Sequence, residues 1–600
     1  MLLGLLTAAA GRRPDADGPL SGIDEVWELL VAAERRSSAV ADDLLLLPET
    51  GRWLRHCLQR LQGPPRLGER EEPPLWVDVG HLHLLAAVAA VRTGLSFNLQ
   101  VPARHGRIWF PTLGCASVRG EATSWQAADV LYEAETLSVS LAGDAGKGQD
   151  PVLVRLGESR PDADWHEPRF VSVDLPGGPR QILFHDLGPY RMQPDTERLA
   201  FGATSECELG RWRDLLQRAW PLLARVDPRA AEDVSSCLRS IEPLPPALPF
   251  RWYSATMEDG MGGMAASEPT GAEPAAAAQF ASILTHEIQH SKLSALLHMY
   301  SLHTPDASHG LYAPWRDDPR PLRGMLHGVY AFTGVARFWR GYVLNGCPTE
   351  EEALASFEFA LRRCQLLRVL PKLNEDERLT TLGRRMVSRL LEVVEQWQGE
   401  QVRADSMEQA GRAAHDHWMS WRAHHFQPDA RFVAALAEEW ATGDLDPAAA
   451  THGWAYPEPQ LRTDPTARHL DARAVLMRMR MMRNTARELS VADDVEGLVR
   501  GARRGDVHLL NGNNDSAQRL YTAEIAGLPR PAQAPGVVWA GLGLALEGQS
   551  DRTWAARALS VFPELVRHVY AAVGTGDESR PDPVAVADWL GRTVAPLPGT

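Results

Sequence analysis

The residues best suited to chemistry in this chain form a His-Glu-Ile-Gln-His pentad at positions 286–290. The surrounding residues, 275–300, predict one continuous helix. Because residues four apart in an α-helix lie almost above one another, His286 and His290 would present two imidazoles to the same point. Such a pair suits a transition-metal ion, and Glu287 is close enough to act on a metal-bound water. Apolar residues at helical spacing would hold this helix against a core: Phe280, Ile283, Leu284, Leu293, Leu296 and Leu297.

Two known zinc-peptidase arrangements require a third ligand that the neighbouring sequence lacks. One takes a histidine six residues beyond the second, with a glycine midway, but these positions are Leu296 and Leu293. The other takes a glutamate from a following helix, and no glutamate occurs between Glu287 and Glu350. The glutamates from position 350 onward are distant, which weakens this arrangement without ruling it out. The alternative to a metal site is a pair of surface histidines that share a helix face by chance.

His327 is the third ligand that the sequence favours. It lies in residues 324–332, which predict the start of the next helix, and that helix could pack back against the first. Asp317 and Asp318 are rival ligands. The structural alternative for His327 is a hydrogen-bonded histidine of the core.

The connector between the two predicted helices, residues 312–323, combines three prolines with three arginines. A guanidinium group is a planar fork that binds carboxylates through two hydrogen bonds. The arginines therefore predict a carboxylate-binding surface beside the metal, which a 2-oxoacid cosubstrate needs. The structural alternative is that the two aspartates of the connector pair with the arginines to form a rigid loop. The predicted cosubstrate-binding residues are Trp315, Arg316, Arg320 and Arg323.

These motifs resemble those of a known family, the HExxH-type, 2-oxoglutarate-dependent peptide β-hydroxylases of bacterial ribosomal peptide natural-product clusters. The likeness rests on the pentad, on APWRDDPRP at 313–321 and on GMLHGVYAFTGVARFW at 324–339. Weaker similarity includes FPTLG at 110–114 and WAGLGLAL at 539–546. It therefore covers most of the chain and is strong for residues 280–340.

The resemblance implies a mononuclear non-haem Fe(II) site that uses 2-oxoglutarate and O2 to hydroxylate β-carbons in a ribosomally synthesised precursor peptide. Two histidines and one further ligand would leave open positions for the cosubstrate and O2. In this reading Glu287 is either a catalytic group or support around the metal. The alternative enzyme is a zinc metallopeptidase with Glu287 as general base, trimming a precursor peptide. A third possibility is a non-catalytic scaffold that binds the peptide and holds a structural metal.

The pattern of apolar residues predicts an α+β fold that is predominantly helical. Residues 1–245 form a helical N-terminal part with a small antiparallel sheet near 95–190, and residues 246–445 form a helical metal-binding core. Residues 254–274 predict a loop, either an active-site lid or an ordinary linker. After a proline-rich linker, residues 466–600 form a helical, repeat-like module, which either binds the leader of a precursor peptide or only packs.

Composition excludes several classes of function. With a net charge of −15 and no basic stripe, nucleic acid is not the expected partner. Six scattered cysteines without a CxxC pair argue against an iron–sulfur cluster and favour a reduced chain in the cytoplasm. No stretch reaches the roughly 20 uninterrupted apolar residues of a membrane span. The apolar start lacks a preceding positive charge, so it predicts a helix rather than a signal peptide. The oligomeric state is not determined by these features.

Overall fold

The computed structural model describes most of the chain. The described residues are 2–10, 13, 15–16, 18–62, 72–118, 125–146, 150–155, 164–175, 178–191, 204–245, 250–268, 275–305, 310–442, 454–482, 486–487, 489, 494–528, 534–573 and 580–595. Helices account for 60% of the structure and strands for 15%. The predicted α+β fold with predominantly helical structure is therefore confirmed.

Helices and an antiparallel sheet form the N-terminal hydrophobic core. The elements are α1 (Leu2–Ala10), α2 (Ile23–Arg36), α3 (Ser38–Leu45), α4 (Pro48–Gln62), α5 (Leu75–Val79), α6 (His81–Thr93), β1 (Phe97–Arg104), β2 (Arg107–Phe110), β3 (Gly114–Ser117), β4 (Trp125–Glu133), β5 (Thr136–Leu141), β6 (Val152–Arg155) and β7 (Trp165–His166). The strand order is β6-β5-β4-β1-β2-β3-β7. Only the stretch Leu75–Thr93 has the length and hydropathy of a membrane span among the described residues, and 89% of it is buried inside the protein, as in a core helix.

A second sheet follows, although the sequence predicts one small antiparallel sheet. Its elements are β8 (Arg169–Leu175), β9 (Gly178–Phe184), α7 (Glu206–Val226), α8 (Pro228–Cys237), β10 (Ser240–Leu244), β11 (Ser254–Thr256) and β12 (Gly263–Ser267). The order is β11-β12-β10-β9-β8, and β10 runs parallel to both of its neighbours. Parallel pairing needs a long crossover, here α7 and α8, and local alternation does not reveal it.

Strands β11 and β12 occupy a segment that the sequence predicts as a loop. That prediction is wrong for residues 254–256 and 263–267, whereas residues 257–262 form the loop between the two strands; positions 269–274 lie outside the described residues. Glycine and alanine have low strand propensity, so the composition hides these strands. They form because the buried alanines of β12 pair with β10 on one side and with β11 on the other.

The central helices include the one that carries the pentad, α9. They are α9 (Ala275–Met299), α10 (Leu322–Leu344), α11 (Glu352–Asn374), α12 (Thr381–Gln396), α13 (Ala404–His425) and α14 (Ala430–Thr442). Helix α9 packs against α7, α8 and α10. One hydrophobic core, from Val171 to Trp397, joins the first four of these helices, α9 to α12, to the second sheet. The core that supports α9 thus begins well before the predicted division at residue 245.

The C-terminal module is helical, as predicted. Its helices are α15 (Ala472–Met481), α16 (Val495–Leu498), α17 (Arg504–Leu510), α18 (Asn514–Gly527), α19 (Gly536–Leu546), α20 (Thr553–Val561), α21 (Pro563–Val573) and α22 (Pro583–Thr593). Two short strand pairs accompany them: β13 (Phe426–Gln427) pairs with β15 (Gln460–Leu461), and β14 (Trp454–Ala455) pairs with β16 (Val594–Ala595). A buried arginine, Arg473, joins three helices, since it pairs with Asp416 of α13 at 2.8 Å and with Asp506 of α17 at 2.7 Å.

Candidate metal centre

Helix α9 carries the pentad through the interior of the protein. Almost every residue from Ala275 to Gln289 is buried, which is typical of a helix that is enclosed on all sides. Such a helix can place polar groups inside the protein, where they are shielded from water. His286 and His290 lie one turn apart on α9, and His327 approaches from the first turns of α10.

The ring nitrogens of the two pentad histidines lie close together. Their Nε2 atoms are 3.0 Å apart. Two nitrogens bound to one ion at about 2.0–2.1 Å, at roughly a right angle, have nearly this separation. His327 contacts His290, but on the opposite ring nitrogen from the Nε2 pair: its Nδ1 atom lies 3.3 Å from Nδ1 of His290. As the side chains stand, no three His, Cys, Asp or Glu residues in the described chain form a complete ligand set. To join the two Nε2 atoms at one ion, the His327 ring would have to reorient.

All three imidazoles are held in the neutral form. Burial, followed by the charge of His290 and of Arg362, lowers the pKa of His286 well below its usual value. Burial and the neighbouring His327 lower the pKa of His290 to about 4. Burial and the charge of Arg323 lower the pKa of His327 to about 4. A neutral imidazole is the form that binds a metal ion.

These pKa values predict that metal affinity is nearly independent of pH in the mildly acidic range. A proton competes with the metal only near and below the pKa of the ligand, so Co(II) should bind almost equally well at pH of about 7.5 and of about 5.5. Exposed histidines of pKa about 6.5 would instead lose affinity across this interval. Calorimetric titration measures the Co(II) affinity at both pH values. The Glu287→Gln variant is titrated in the same way, because it removes a carboxylate whose own protonation could change the affinity. A loss of about tenfold or more in both proteins would contradict the prediction.

Glu287 is buried and oriented by the second sheet. The hydroxyl of Ser254 donates to its Oε1 atom at 2.5 Å, and the hydroxyl of Thr256 donates to its Oε2 atom at 2.6 Å. Burial raises the pKa of Glu287 to about 7, against the opposing effect of these two hydrogen bonds. Its Oε1 atom is 3.9 Å from Nε2 of His286. The carboxylate is thus close to the histidines, and both of its oxygens are engaged by β11.

Sequence analysis missed Ser254 and Thr256. Alternate residues of a strand point to the same face, so two hydroxyls at this spacing form a pair once β11 is known to be a strand. The loop that follows β11 is also anchored at two points, since Asp259 pairs with Arg55 of α4 and Glu258 pairs with Arg323 of α10. The hairpin is therefore joined by ion pairs to α4 and to α10.

An aromatic wall covers one side of His286. Phe332 meets the His286 ring edge-on at 4.8 Å between centroids, and Trp315 stacks on Phe332 at 4.6 Å. The indole lies against Gly328, where an added Cβ would be only 2.3 Å from a ring carbon of Trp315. Trp315, predicted to bind a cosubstrate, thus lies near the histidines but contacts them through Phe332.

The arginines and aspartates of the connector mostly bind one another. Arg316 and Arg320 both pair with Asp318, at 3.2 and 3.0 Å, and all three side chains are partly exposed. The carboxylate of Asp317 accepts hydrogen bonds from the backbone N–H groups of His469 and Leu470. Both rival ligands are therefore engaged away from the histidines. The geometry matches the rigid-loop alternative more closely than an open carboxylate-binding surface.

A charged residue that was not predicted from the sequence lies over the ring of Phe332. The guanidinium carbon of Arg362, on α11, is 4.8 Å from the centroid of the Phe332 ring. Its charge is close enough to His286 to lower the pKa of that imidazole. The signal in the sequence is weak, since Arg362 lies in an ordinary helical pattern far from the pentad.

Comparison with known proteins does not assign this chain to a family. No family model matches the chain, and no curated protein matches its sequence. The function must therefore be inferred from the chemistry of the site.

Proposed function

We propose that this protein is an Fe(II)- and 2-oxoglutarate-dependent hydroxylase that acts on β-carbons in a ribosomally synthesised precursor peptide in the cytoplasm. The observation that carries the proposal is the engagement of Glu287. Both oxygens of this carboxylate accept hydrogen bonds from β11. A peptidase needs the glutamate of the pentad as a base for metal-bound water, whereas a hydroxylase does not. The six cysteines are free, in keeping with a reducing compartment.

Two imidazoles of the site support the choice of a divalent iron ion. His286 and His290 would hold it through their adjacent Nε2 atoms, and His327 is the nearest further imidazole. With iron bound, 2-oxoglutarate and O2 supply the oxidation that converts a C–H group to C–OH, while the cosubstrate becomes succinate and CO2. The ordered side chain of Glu287 and the rings of Phe332 and Trp315 would shield this space from water.

The downstream glutamates also favour the hydroxylase over a zinc peptidase. The hydroxyl of Tyr342 donates to Glu351 at 2.8 Å. Glu358 is buried and pairs with Arg362 and Arg478. Neither carboxylate is placed as a metal ligand beside His286 and His290.

A zinc metallopeptidase is the second candidate, and one observation favours it. The pKa of Glu287, raised to about 7 by burial, is in the range of an effective general base. In that case Glu287 would take a proton from the metal-bound water, and Ser254 and Thr256 would hold it in place. The peptide would then be cleaved rather than oxidised.

The Glu287→Gln variant and the choice of metal separate the two enzymes. With Fe(II), 2-oxoglutarate, O2 and the precursor peptide encoded beside its gene, the protein should add the mass of one oxygen and form succinate. Zinc should inhibit, since it occupies the same histidines without redox chemistry. Glu287→Gln should keep partial hydroxylase activity but would cost a peptidase several orders of magnitude. Mass spectrometry of the peptide measures both outcomes.

Two results would contradict the proposal. Cleavage of the peptide with zinc, and no change with Fe(II) and 2-oxoglutarate, would identify a peptidase. Tight binding of both metal and peptide without any product would identify a scaffold.

A further inference from the structure

A polar cavity lies in the C-terminal module, outside the metal centre. Its volume is about 350 Å³, at the lower end of the range of ligand sites in proteins. Its walls come from the end of α13, from β13, from the segment that follows β15 and from α21. The charged and titratable residues that line it are His424, His425, Arg462, Asp464, Arg567 and His568.

Two of these histidines have already used both ring nitrogens. Nε2 of His424 accepts from the backbone N–H of Gly536, so its Nδ1 carries the proton and donates to Asp464 at 2.8 Å. Nδ1 of His425 accepts from the backbone N–H of Asp464, so its Nε2 donates to the backbone carbonyl of Asp317 at 2.7 Å. Both rings are therefore neutral, and neither has a donor left for a ligand.

The carboxylate in the lining is occupied as well. Oδ1 of Asp464 accepts from the backbone N–H and from the hydroxyl of Thr466, at 2.8 and 2.6 Å. Its Oδ2 accepts from His424. The hydrogen bond from His424, followed by those from Thr466, holds the pKa of Asp464 below its usual value against the effect of burial. Asp464 is therefore ionised, with both oxygens engaged.

Two guanidiniums and one imidazole remain for a ligand. Arg462 is exposed and donates from Nη1 to Gln427 at 3.1 Å; its Nε and Nη2 atoms have no partner among the described residues. Arg567 donates from Nη1 to a backbone carbonyl of α13 at 2.7 Å. His568 donates from Nδ1 to a backbone carbonyl one turn earlier on α21, at 2.8 Å. Burial lowers the pKa of His568, so its neutral ring has an acceptor at Nε2.

The charge and hydrogen-bonding groups of the lining define the ligand that fits. Among the described residues that line the cavity, the cations Arg462 and Arg567 oppose the single carboxylate of Asp464. One positive charge is thus in excess, although the whole chain has a net charge of −15. A partly buried cation is stabilised by a counter-ion, so an anion fits. The acceptor Nε2 of His568 fits an N–H group, which a peptide backbone has and inorganic phosphate lacks.

The cavity wall is bonded to the connector of the metal centre. His425, which lines the cavity, donates to the backbone carbonyl of Asp317. Two residues earlier in the same connector, Trp315 stacks on Phe332, whose ring meets His286 edge-on. A peptide held in the cavity would therefore lie against the residue that anchors this connector.

We propose that this cavity binds an acidic residue of the precursor peptide, other than the residue that is hydroxylated. The inference rests on the proposed function, because it concerns the peptide substrate of that reaction. The carboxylate of the peptide accepts hydrogen bonds from Arg462 and Arg567. A backbone N–H of the peptide donates to Nε2 of His568. The C-terminal module thus recognises the substrate by charge, apart from the site of chemistry.

The test measures the binding of fluorescein-labelled peptides to the full-length protein by fluorescence anisotropy, without iron or 2-oxoglutarate. Hexaglutamate should bind at least about tenfold more tightly than hexaglutamine, as expected for charge-assisted hydrogen bonds. The net charge of −15 disfavours hexaglutamate elsewhere on the protein. Arg567→Gln should weaken hexaglutamate binding at least about tenfold, and the exposed Arg462→Gln about threefold. Hexaglutamine binding should be unchanged in both variants.

A matched control lies in the same module. Arg519 is exposed on α18 and does not line the cavity, so Arg519→Gln should bind hexaglutamate as the unchanged protein does. Circular dichroism reports folding, and Arg462→Gln removes an exposed group, so it remains informative if Arg567→Gln does not fold. Unlabelled precursor peptide should displace hexaglutamate from the unchanged protein.

Several outcomes overturn the inference. These are equal affinity for the two labelled peptides, an equal loss in Arg462→Gln and Arg519→Gln, and failure of the precursor peptide to compete. Displacement of hexaglutamate by inorganic phosphate at a lower concentration than by the precursor peptide would identify a site for free phosphate instead. If the precursor is hydroxylated but hexaglutamate is not preferred, this inference alone fails. If the precursor competes for the cavity but is cleaved rather than oxidised, the proposed hydroxylation alone fails.

Discussion

The His290→Ala variant is expected to lose its bound metal and all turnover while it keeps its fold. His290 is the central imidazole of the cluster, because it contacts His286 through one ring nitrogen and His327 through the other. Without His290, the Nε2 atom of His286 has lost the imidazole nitrogen that lies 3.0 Å from it. His286→Ala should have the same effect, because it removes the other member of that pair. Metal content after anaerobic reconstitution, measured by mass spectrometry, together with peptide turnover, tests both variants.

The matched control for these variants lies on the same helix. His298 is exposed near the end of α9, so His298→Ala should retain both metal and activity. Full activity and full metal content in His290→Ala would exclude the pentad as the metal site. Loss of helical signal in that variant would instead require the comparison to be made with His290→Gln, which preserves more of the packing.

The second large effect concerns stability rather than chemistry. Arg473→Met should lower the free energy of unfolding by about 3–5 kcal/mol, because it leaves two carboxylates buried without their cation. Asp416 and Asp506 are both almost fully buried, and the donors that remain to Asp506 are the hydroxyl of Tyr521 and the backbone N–H of Arg503. Urea denaturation followed by tryptophan fluorescence measures the change.

Two further variants decide whether this cost comes from the unpaired charges. Arg389→Met removes an exposed arginine and should change the free energy of unfolding by no more than about 0.5 kcal/mol. Replacing Arg473, Asp416 and Asp506 together by apolar residues should recover much of the lost stability, since no charge is then left unpaired. A triple variant as unstable as Arg473→Met would show that packing, not charge, is responsible.

The histidines of the site, which lie on helices, could be predicted from the local sequence. The residues that contact them from other elements could not. The spacing of His286 and His290 determines their proximity once α9 is a helix. The helix containing His327 was also predictable from its apolar pattern, although the orientation of its ring depends on the surrounding core. Ser254 and Thr256 required β11 to be recognised, and its pairing with β12 is set by contacts across the sheet. Arg362 required the packing of α11 on α10, which no local spacing encodes.

The connector shows why arginine content alone does not establish a carboxylate-binding surface. Arginine and aspartate that are close in sequence satisfy one another at little entropic cost, and Arg316, Asp318 and Arg320 do so.

The close approach of Gly328 to Trp315 restricts how this site can vary. Helix α10 has no room for a side chain at position 328 while an indole occupies position 315. Alanine at 328 would push the indole away from Phe332 and uncover the ring that borders His286. Among chains that keep this arrangement, the two positions must therefore change together, with a larger residue at 328 accompanied by a smaller ring or an aliphatic residue at 315. A pair of this kind leaves a covariation signal, by which homologous sites can be recognised even where the pentad alone is uninformative.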